Sequence, residues 1–279
     1  MRIINAAGRL GIATPDGFVD VETASGGRFG PSVQAIYEQW DEFRSWAQGA
    51  SLTDARAVED AELGSPVPRP GQVFAIGLNY RSHAEESGLD LPQIPMVFTK
   101  FPASVTGPTG TIDLPTASVD FEAEVVAVIG REAYKVAEAD AWSHVAGITV
   151  GQDLSERELQ LGPPLPQQFN MGKSYAGFAP LGPVLVTPDE FDDPDDLELR
   201  CVLSGEEVQK ARTSDLIFSV PKLVSFLSSV LPLRPGDVIF TGTPSGVGWG
   251  RDPKRYLREG DELVTSVEGV GELRHHFRA

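Results

Sequence analysis

The sequence predicts a mostly β, α+β fold: a sandwich- or roll-like domain with small helices behind a small N-terminal domain. Three observations carry this. From residue 72 onward, short apolar runs of strand character alternate with Gly/Pro punctuation. The strict strand–helix alternation of a doubly wound sheet is missing, and no repeat of 20–50 residues is visible. Between the two parts, Gly64-Ser65-Pro66-Val67-Pro68-Arg69-Pro70-Gly71 concentrates helix- and strand-breaking residues, which sets the domains at 1–65 and 66–279.

In the first part, Arg2–Asn5, Gly11–Thr14 and Phe18–Val21 read as strands. Pro15-Asp16-Gly17 is a hairpin turn, because Pro presets φ and Gly accepts positive φ. Ser32 is a candidate N-cap for one helix carrying Val33, Ile36, Tyr37, Trp40, Phe43 and Trp46 at helical spacing. Its tryptophans belong to the core. In the second part, strands are expected at Gln72–Ile76, Phe121–Ile129, Val145–Gly151, Val184–Val186, Leu197–Leu203, Asp237–Thr241, Glu262–Val267 and Glu272–Phe277. Helices are expected at Ser155–Leu161 and Val220–Val230.

Composition removes several function classes. The 279 residues are 41% hydrophobic and 23% charged, as in packed globular chains. No apolar run reaches the roughly 18 residues of a membrane span. No secretory leader is evident, and the lone Cys201 has no intrachain partner, so a cytoplasmic protein is expected. A net charge of −17 argues against nucleic acid and anionic lipid as partners. An anionic substrate would then need a local cation.

Gly172-Lys173-Ser174 lacks the upstream glycine of a phosphate-binding loop, since Gln167 stands in that place. No Gly-x-Ser-x-Gly or His-Glu-x-x-His occurs. Chemistry concentrates elsewhere. Glu122 and Glu124 open an apolar strand, and period 2 puts both on one face. Two carboxylates so close call for something positive between them, and an all-oxygen set suits magnesium, manganese or calcium. Asp153, ending the next strand, could add a third ligand. His83 and Glu86 stand at i, i+3, where a carboxylate can orient an imidazole as a general base. Asp153, Arg157 and Gln160 have the spacing for one short helix to present all three, and Lys173 follows beside Gly172.

These segments resemble the fumarylacetoacetate hydrolase family. The likeness runs over roughly residues 70–277 in order: Gly77–Tyr80 with His83 and Glu86; Lys100 and Gly107-Pro108; Asp120–Glu124; Asp153–Gln160; Gly172-Lys173-Ser174; Phe178–Pro183; Pro235–Gly248; and Leu257–Asp261 with Gly269–Gly271. The resemblance implies the family's mixed β-sandwich roll, usually a homodimer. It implies a Mg²⁺ or Mn²⁺ site, with Ca²⁺ also open, made of Glu122, Glu124 and Asp153. It makes His83 and Glu86, on a short lid, the catalytic dyad with Lys173. Arg157, Gln160, Gly242 and Thr243 become substrate contacts, and Lys100 a structural residue. The implied function is hydrolysis of a C–C bond in an acylpyruvate-like β-diketo acid, releasing pyruvate or a related 2-oxo acid. An oxaloacetate-type decarboxylase or oxo-dienoate isomerase on the same site is the alternative, and a non-catalytic ligand-binding protein is the alternative of another class.

Overall fold

The structure, a computed structural model, describes residues 1–86, 88, 90–162 and 166–279. Two mixed sheets form the body. The larger runs in the order 17–20, 9–14, 2–6, 179–186, 145–152, 123–129, 238–240, 73–77, 96–99, with two-residue strands at 63–64 and 105–106 attached. The smaller runs 206–212, 198–203, 262–267, 271–278, 109–113.

The centre of the large sheet is Ala123–Ile129, in which every residue is buried. A strand covered on both faces reads as a continuous apolar run, and Val125-Val126-Ala127-Val128-Ile129 is one. Val125 packs with Leu199, Cys201 and Leu273 of the small sheet, which makes the sandwich core. Val126 and Val128 pack with Tyr37, Trp40 and Phe43 on the other side. Ala127 and Ile129 meet Leu223, Val224 and Leu227 of the helix Val220–Val230.

The expected strands and the helix Val220–Val230 are present with ends shifted by a few residues. The hairpin at Pro15-Asp16-Gly17 joins Arg9–Thr14 to Gly17–Asp20. Three expectations are corrected. The helix from Ser32 breaks into a 3-10 segment, Gln34–Gln39, and an α-helix, Trp40–Ala47. Ser32 still accepts the Ala35 N–H at 3.3 Å. Phe121–Ile129 is shortened to Ala123–Ile129, and the preceding Val119–Asp120 pairs separately with Ser155–Glu156. That pairing also removes Ser155 and Glu156 from the expected helix, which begins at Arg157.

Hydrogen bonds cross the 65/66 division. Arg2–Ile4 pair with Val184–Val186, so the N-terminal hairpin extends the large sheet. Among the described residues no helix is long and apolar enough to cross a membrane.

Candidate functional site

The strand Ala123–Ile129 pairs antiparallel with Val145–Gln152, Ala123 opposite Gln152. This register brings Glu122 and Glu124 to the end where Asp153 leaves the neighbouring strand, and the Asp153 N–H donates to the Glu122 carbonyl at 2.9 Å. Carboxylate oxygens of Glu122, Glu124 and Asp153 lie within 4.8 Å of one another, all buried. The spacing argument for this trio therefore holds. Its companion does not: Asp153 precedes the helix, and only Arg157 and Gln160 sit on Arg157–Leu161.

Cations are packed among these acids. Lys173 Nζ donates to Glu122 Oε2 (2.9 Å), Asp153 Oδ2 (2.6 Å) and Ser155 Oγ (2.7 Å), which engages all three of its N–H bonds. Lys100 is fully buried, with Nζ 2.6 Å from Asp153 Oδ1 and a further bond to the Lys173 carbonyl. Arg157 reaches Glu122 Oε1 at 2.7 Å and grips Asp120 Oδ2 through Nε (2.9 Å) and Nη2 (2.7 Å). Its Nη1 also donates to Gln160 Oε1 at 2.9 Å, which engages the oxygen of that amide and makes its N–H₂ the group that can donate to a ligand.

The two glutamates consequently differ. Burial alone would raise the Glu122 carboxyl, but Lys173 and then Arg157 override it and hold it well below the usual carboxylate range. Glu124 is pushed well above that range by burial and then by the charges of Asp153 and Glu122. Among the described residues its hydrogen bond is a single backbone one, from the Gly242 N–H at 2.6 Å. That bond corrects the expectation for Gly242: its amide is directed at Glu124 rather than at a substrate carboxylate. Gly242 has φ +105°, and a Cβ there would sit 2.7 Å from the Asn79 Cβ, so only glycine lets this amide approach.

The donor set fits a divalent cation. Four bonded or adjoining carboxylates (Asp120, Glu122, Glu124, Asp153) face three cations (Lys100, Arg157, Lys173), with Glu124 unmatched. An ion held by the trio would stabilise the Glu124 carboxylate, and one substrate carboxylate would neutralise the positive charge then in excess.

His83 and Glu86 lie on the helix Arg81–Glu86, with His83 Nδ1 3.1 Å from Glu86 Oε2. The other Glu86 oxygen accepts the Gly246 N–H at 2.9 Å. Burial raises the Glu86 carboxyl, but the bonds from His83 and Gly246 outweigh it and leave it below its ordinary value. Nδ1 therefore carries the proton toward Glu86, and Nε2 is the basic nitrogen.

One cavity of about 360 Å³ is lined by His83, Glu122, Arg157, Gln160, Lys173 and Thr243 together. A larger cavity, about 790 Å³, lies near Ile12, Arg44 and Val184 and contains none of these residues.

Of three supporting residues, Asp120 was legible only within the family resemblance, with no role, and Gln152 and Gln209 escaped the sequence reading. Asp120 binds Arg157 and also accepts the Gly248 and Trp249 N–H groups at 2.7 and 2.9 Å. Gln152 accepts the Glu122 N–H at 2.9 Å. Gln209 accepts the Ala123 N–H at 3.0 Å while donating to Thr243 Oγ1 (2.8 Å) and the Pro244 carbonyl (2.9 Å). Only Asp120 stood beside a visible signal, two residues ahead of Glu122.

Fold and site together define a β-roll protein built round a buried carboxylate centre suited to a divalent cation. The chain belongs to the fumarylacetoacetate hydrolase family: the model for the fumarylacetoacetate (FAA) hydrolase C-terminal region matches residues 72–278. Human "Oxaloacetate tautomerase FAHD2A, mitochondrial" is 37% identical over 273 residues, 90% of this chain and 84% of that protein. A bovine protein of the same description is 40% identical over 209 residues, 66% of its length. Among solved structures, "a putative HpcE protein from Mycobacterium smegmatis" is 56% identical with TM-score 0.95, covering 99% of both chains. Maleylpyruvate hydrolase from Sphingobium sp. SYK-6, in complex with manganese (II) ion and pyruvate, is 27% identical with TM-score 0.79, covering 99% of this chain and 98% of that one.

Proposed function

We propose that this chain is an enzyme that hydrolyses the C–C bond of an acylpyruvate-type β-diketo acid, releasing pyruvate and a carboxylic acid. One observation carries the reading: a single cavity is lined by His83, with Glu86 behind it, and by Glu122 of the carboxylate centre together with Lys173, which binds Glu122 and Asp153. The manganese and pyruvate bound to the maleylpyruvate hydrolase support it.

Glu122, Glu124 and Asp153 would hold Mg²⁺ or Mn²⁺, which supplies Lewis-acid polarisation of the substrate's 2-oxo group. His83 Nε2 takes a proton from water, and the hydroxide oxygen bonds to the distal carbonyl carbon. The C–C bond to the methylene breaks, its electron pair stays with the departing three-carbon unit, and His83 returns the proton there. Charge on Glu86 stabilises the imidazolium between these transfers. The Gln160 amide donates to developing negative charge, a contribution of on the order of 3 kcal/mol per placed donor. Lys173 acts there as a fixed positive charge, its donors being engaged by Glu122, Asp153 and Ser155.

The test is pyruvate release from acetylpyruvate with Mg²⁺ and after chelation, for the wild type and His83→Asn. We expect metal-dependent release, reduced about 10²- to 10⁴-fold in the variant, with Mg²⁺ affinity kept within a few fold. Full turnover by His83→Asn would remove the base assignment.

The name of the mammalian relatives favours a second reading, oxaloacetate tautomerisation. There His83 would move one proton between C3 and the enol oxygen, with no water added. Loss of the enol absorbance of oxaloacetate, without pyruvate release from acetylpyruvate, would select it.

A further inference from the structure

Charge inside the cavity is confined to one place. Arg157 and Lys173 are each bonded to Glu122, and His83 is paired with Glu86. Both cations of the lining are committed: Arg157 to Asp120 and Glu122, Lys173 to Glu122 and Asp153. Away from these groups the wall is apolar, formed by Ile76, Leu78, Met96, Phe98, Phe169 and Trp249, with Gln167 as a neutral polar member. Phe98 adjoins both the charged end and the apolar wall. Its ring lies 5.1 Å from Lys173 Nζ and 5.8 Å, centroid to centroid, from Phe169.

The five residues outside the described set are Ser87, Leu89, Pro163, Pro164 and Leu165, none of them ionisable. Beyond Lys173, which adjoins Phe98 and is already bonded to Glu122 and Asp153, exposed Lys254 lies over the Trp249 ring at 5.2 Å and is not part of the lining. A substrate with a second, remote carboxylate would thus bring a charge out of water onto an apolar surface without a partner, a cost that a methyl or aryl end does not carry.

Resting on the oxo-acid reading above, we propose that the site selects 2-oxo acids bearing one carboxylate and an apolar tail over 2-oxo dicarboxylates. The apolar wall of Met96, Phe98, Phe169 and Trp249 is the selecting element. The substrate class this names is the acylpyruvate whose acyl group is an alkyl or aryl chain.

The proposal is tested by calorimetric binding of two matched probes to the Mg²⁺-supplied protein: 2-oxohexanoate, ending in methyl, and 2-oxoadipate, ending in carboxylate. Wild type is expected to bind 2-oxohexanoate at least about tenfold more tightly, within the range a hydrophobic pocket discriminates. Met96→Arg, at a half-exposed edge-strand position on the cavity wall, is expected to reduce or invert that ratio. Equal or tighter binding of 2-oxoadipate by wild type overturns the selectivity and leaves the oxo-acid reading standing. Binding of neither probe overturns the oxo-acid reading and the selectivity with it. A Met96→Arg protein that keeps its melting temperature and the wild-type ratio removes the wall as the selecting element.

Discussion

The strand Ala123–Ile129 borders two interiors of opposite character. At its start lie Glu122, Glu124, Asp153, Lys100, Arg157 and Lys173, ionic groups taken out of water and held by mutual contacts. Against one of its faces lies an aromatic layer, in which Phe29 and Phe43 meet edge to face at 5.5 Å and Tyr37 stacks on Trp40 at 6.0 Å. Burying apolar area is the main favourable term in folding, whereas desolvating charge costs about as much as pairing returns. The aromatic layer therefore stabilises the chain, and the ionic cluster is maintained at its expense for chemistry.

The largest expected effect breaks the comparison on the ionic side. Glu124→Gln should lower metal-dependent turnover by about 10³-fold or more, several kcal/mol of lost electrostatic catalysis. Without metal its melting temperature should equal or exceed that of wild type, because an unmatched buried acid is gone. A large fall in stability in chelator would contradict this account.

On the aromatic side, Phe43→Ala should cost about 3–5 kcal/mol of stability through lost burial and a cavity. Turnover per folded molecule and Mg²⁺ affinity should not change. Urea unfolding beside active-site titration checks both.

Buried His275 offers a third contrast, a neutral group whose desolvation lowers its pKa to about 4 while the Gly107 carbonyl holds its ring. Below the ordinary value of 6.5 the unfolded chain takes up a proton that the folded chain refuses. Stability should thus fall as pH drops from about 6.5 to about 4, by about 3 kcal/mol in all, and level off below. His275→Gln should remove that component of the pH dependence. The smallest effect is expected on the surface, where Arg278→Ala severs an exposed pair with Asp113 and should shift stability by less than about 0.5 kcal/mol.

What could be read in the sequence was what depends on short spacing. Glu122, Glu124 and the neighbouring-strand Asp153 follow from period 2 and antiparallel pairing. His83 and Glu86 follow from one helical turn, and the buried strands from their apolar runs. Lys100 was legible only through the family resemblance, as a structural residue, and Gln209 did not show, because it meets Ala123 across more than fifty residues and its neighbourhood has no pattern of its own. The strands Thr109–Asp113 and Glu206–Arg212 were missed because both are sheet edges, where half-exposed positions admit polar residues and the alternation fades; the edge strand Met96–Thr99 was missed because its apolar run is only three residues long. The break at Gln39 was hidden too. The apolar stripe from Val33 to Trp46 fits a continuous helix, and the chain departs from it only in backbone angles, φ −121° and ψ 28° at Gln39.

The pairing of Arg2–Ile4 with Val184–Val186 reaches beyond the folded state. During synthesis at about 5–20 residues per second, the first hairpin leaves the ribosome on the order of ten seconds or more before its partner strand exists. Through that interval its unpaired edge is open to other chains. The nascent protein is therefore most exposed to misassembly while about two-thirds of it is made, and a chaperone that shields the first twenty residues should raise its folding yield more than one acting on the finished chain.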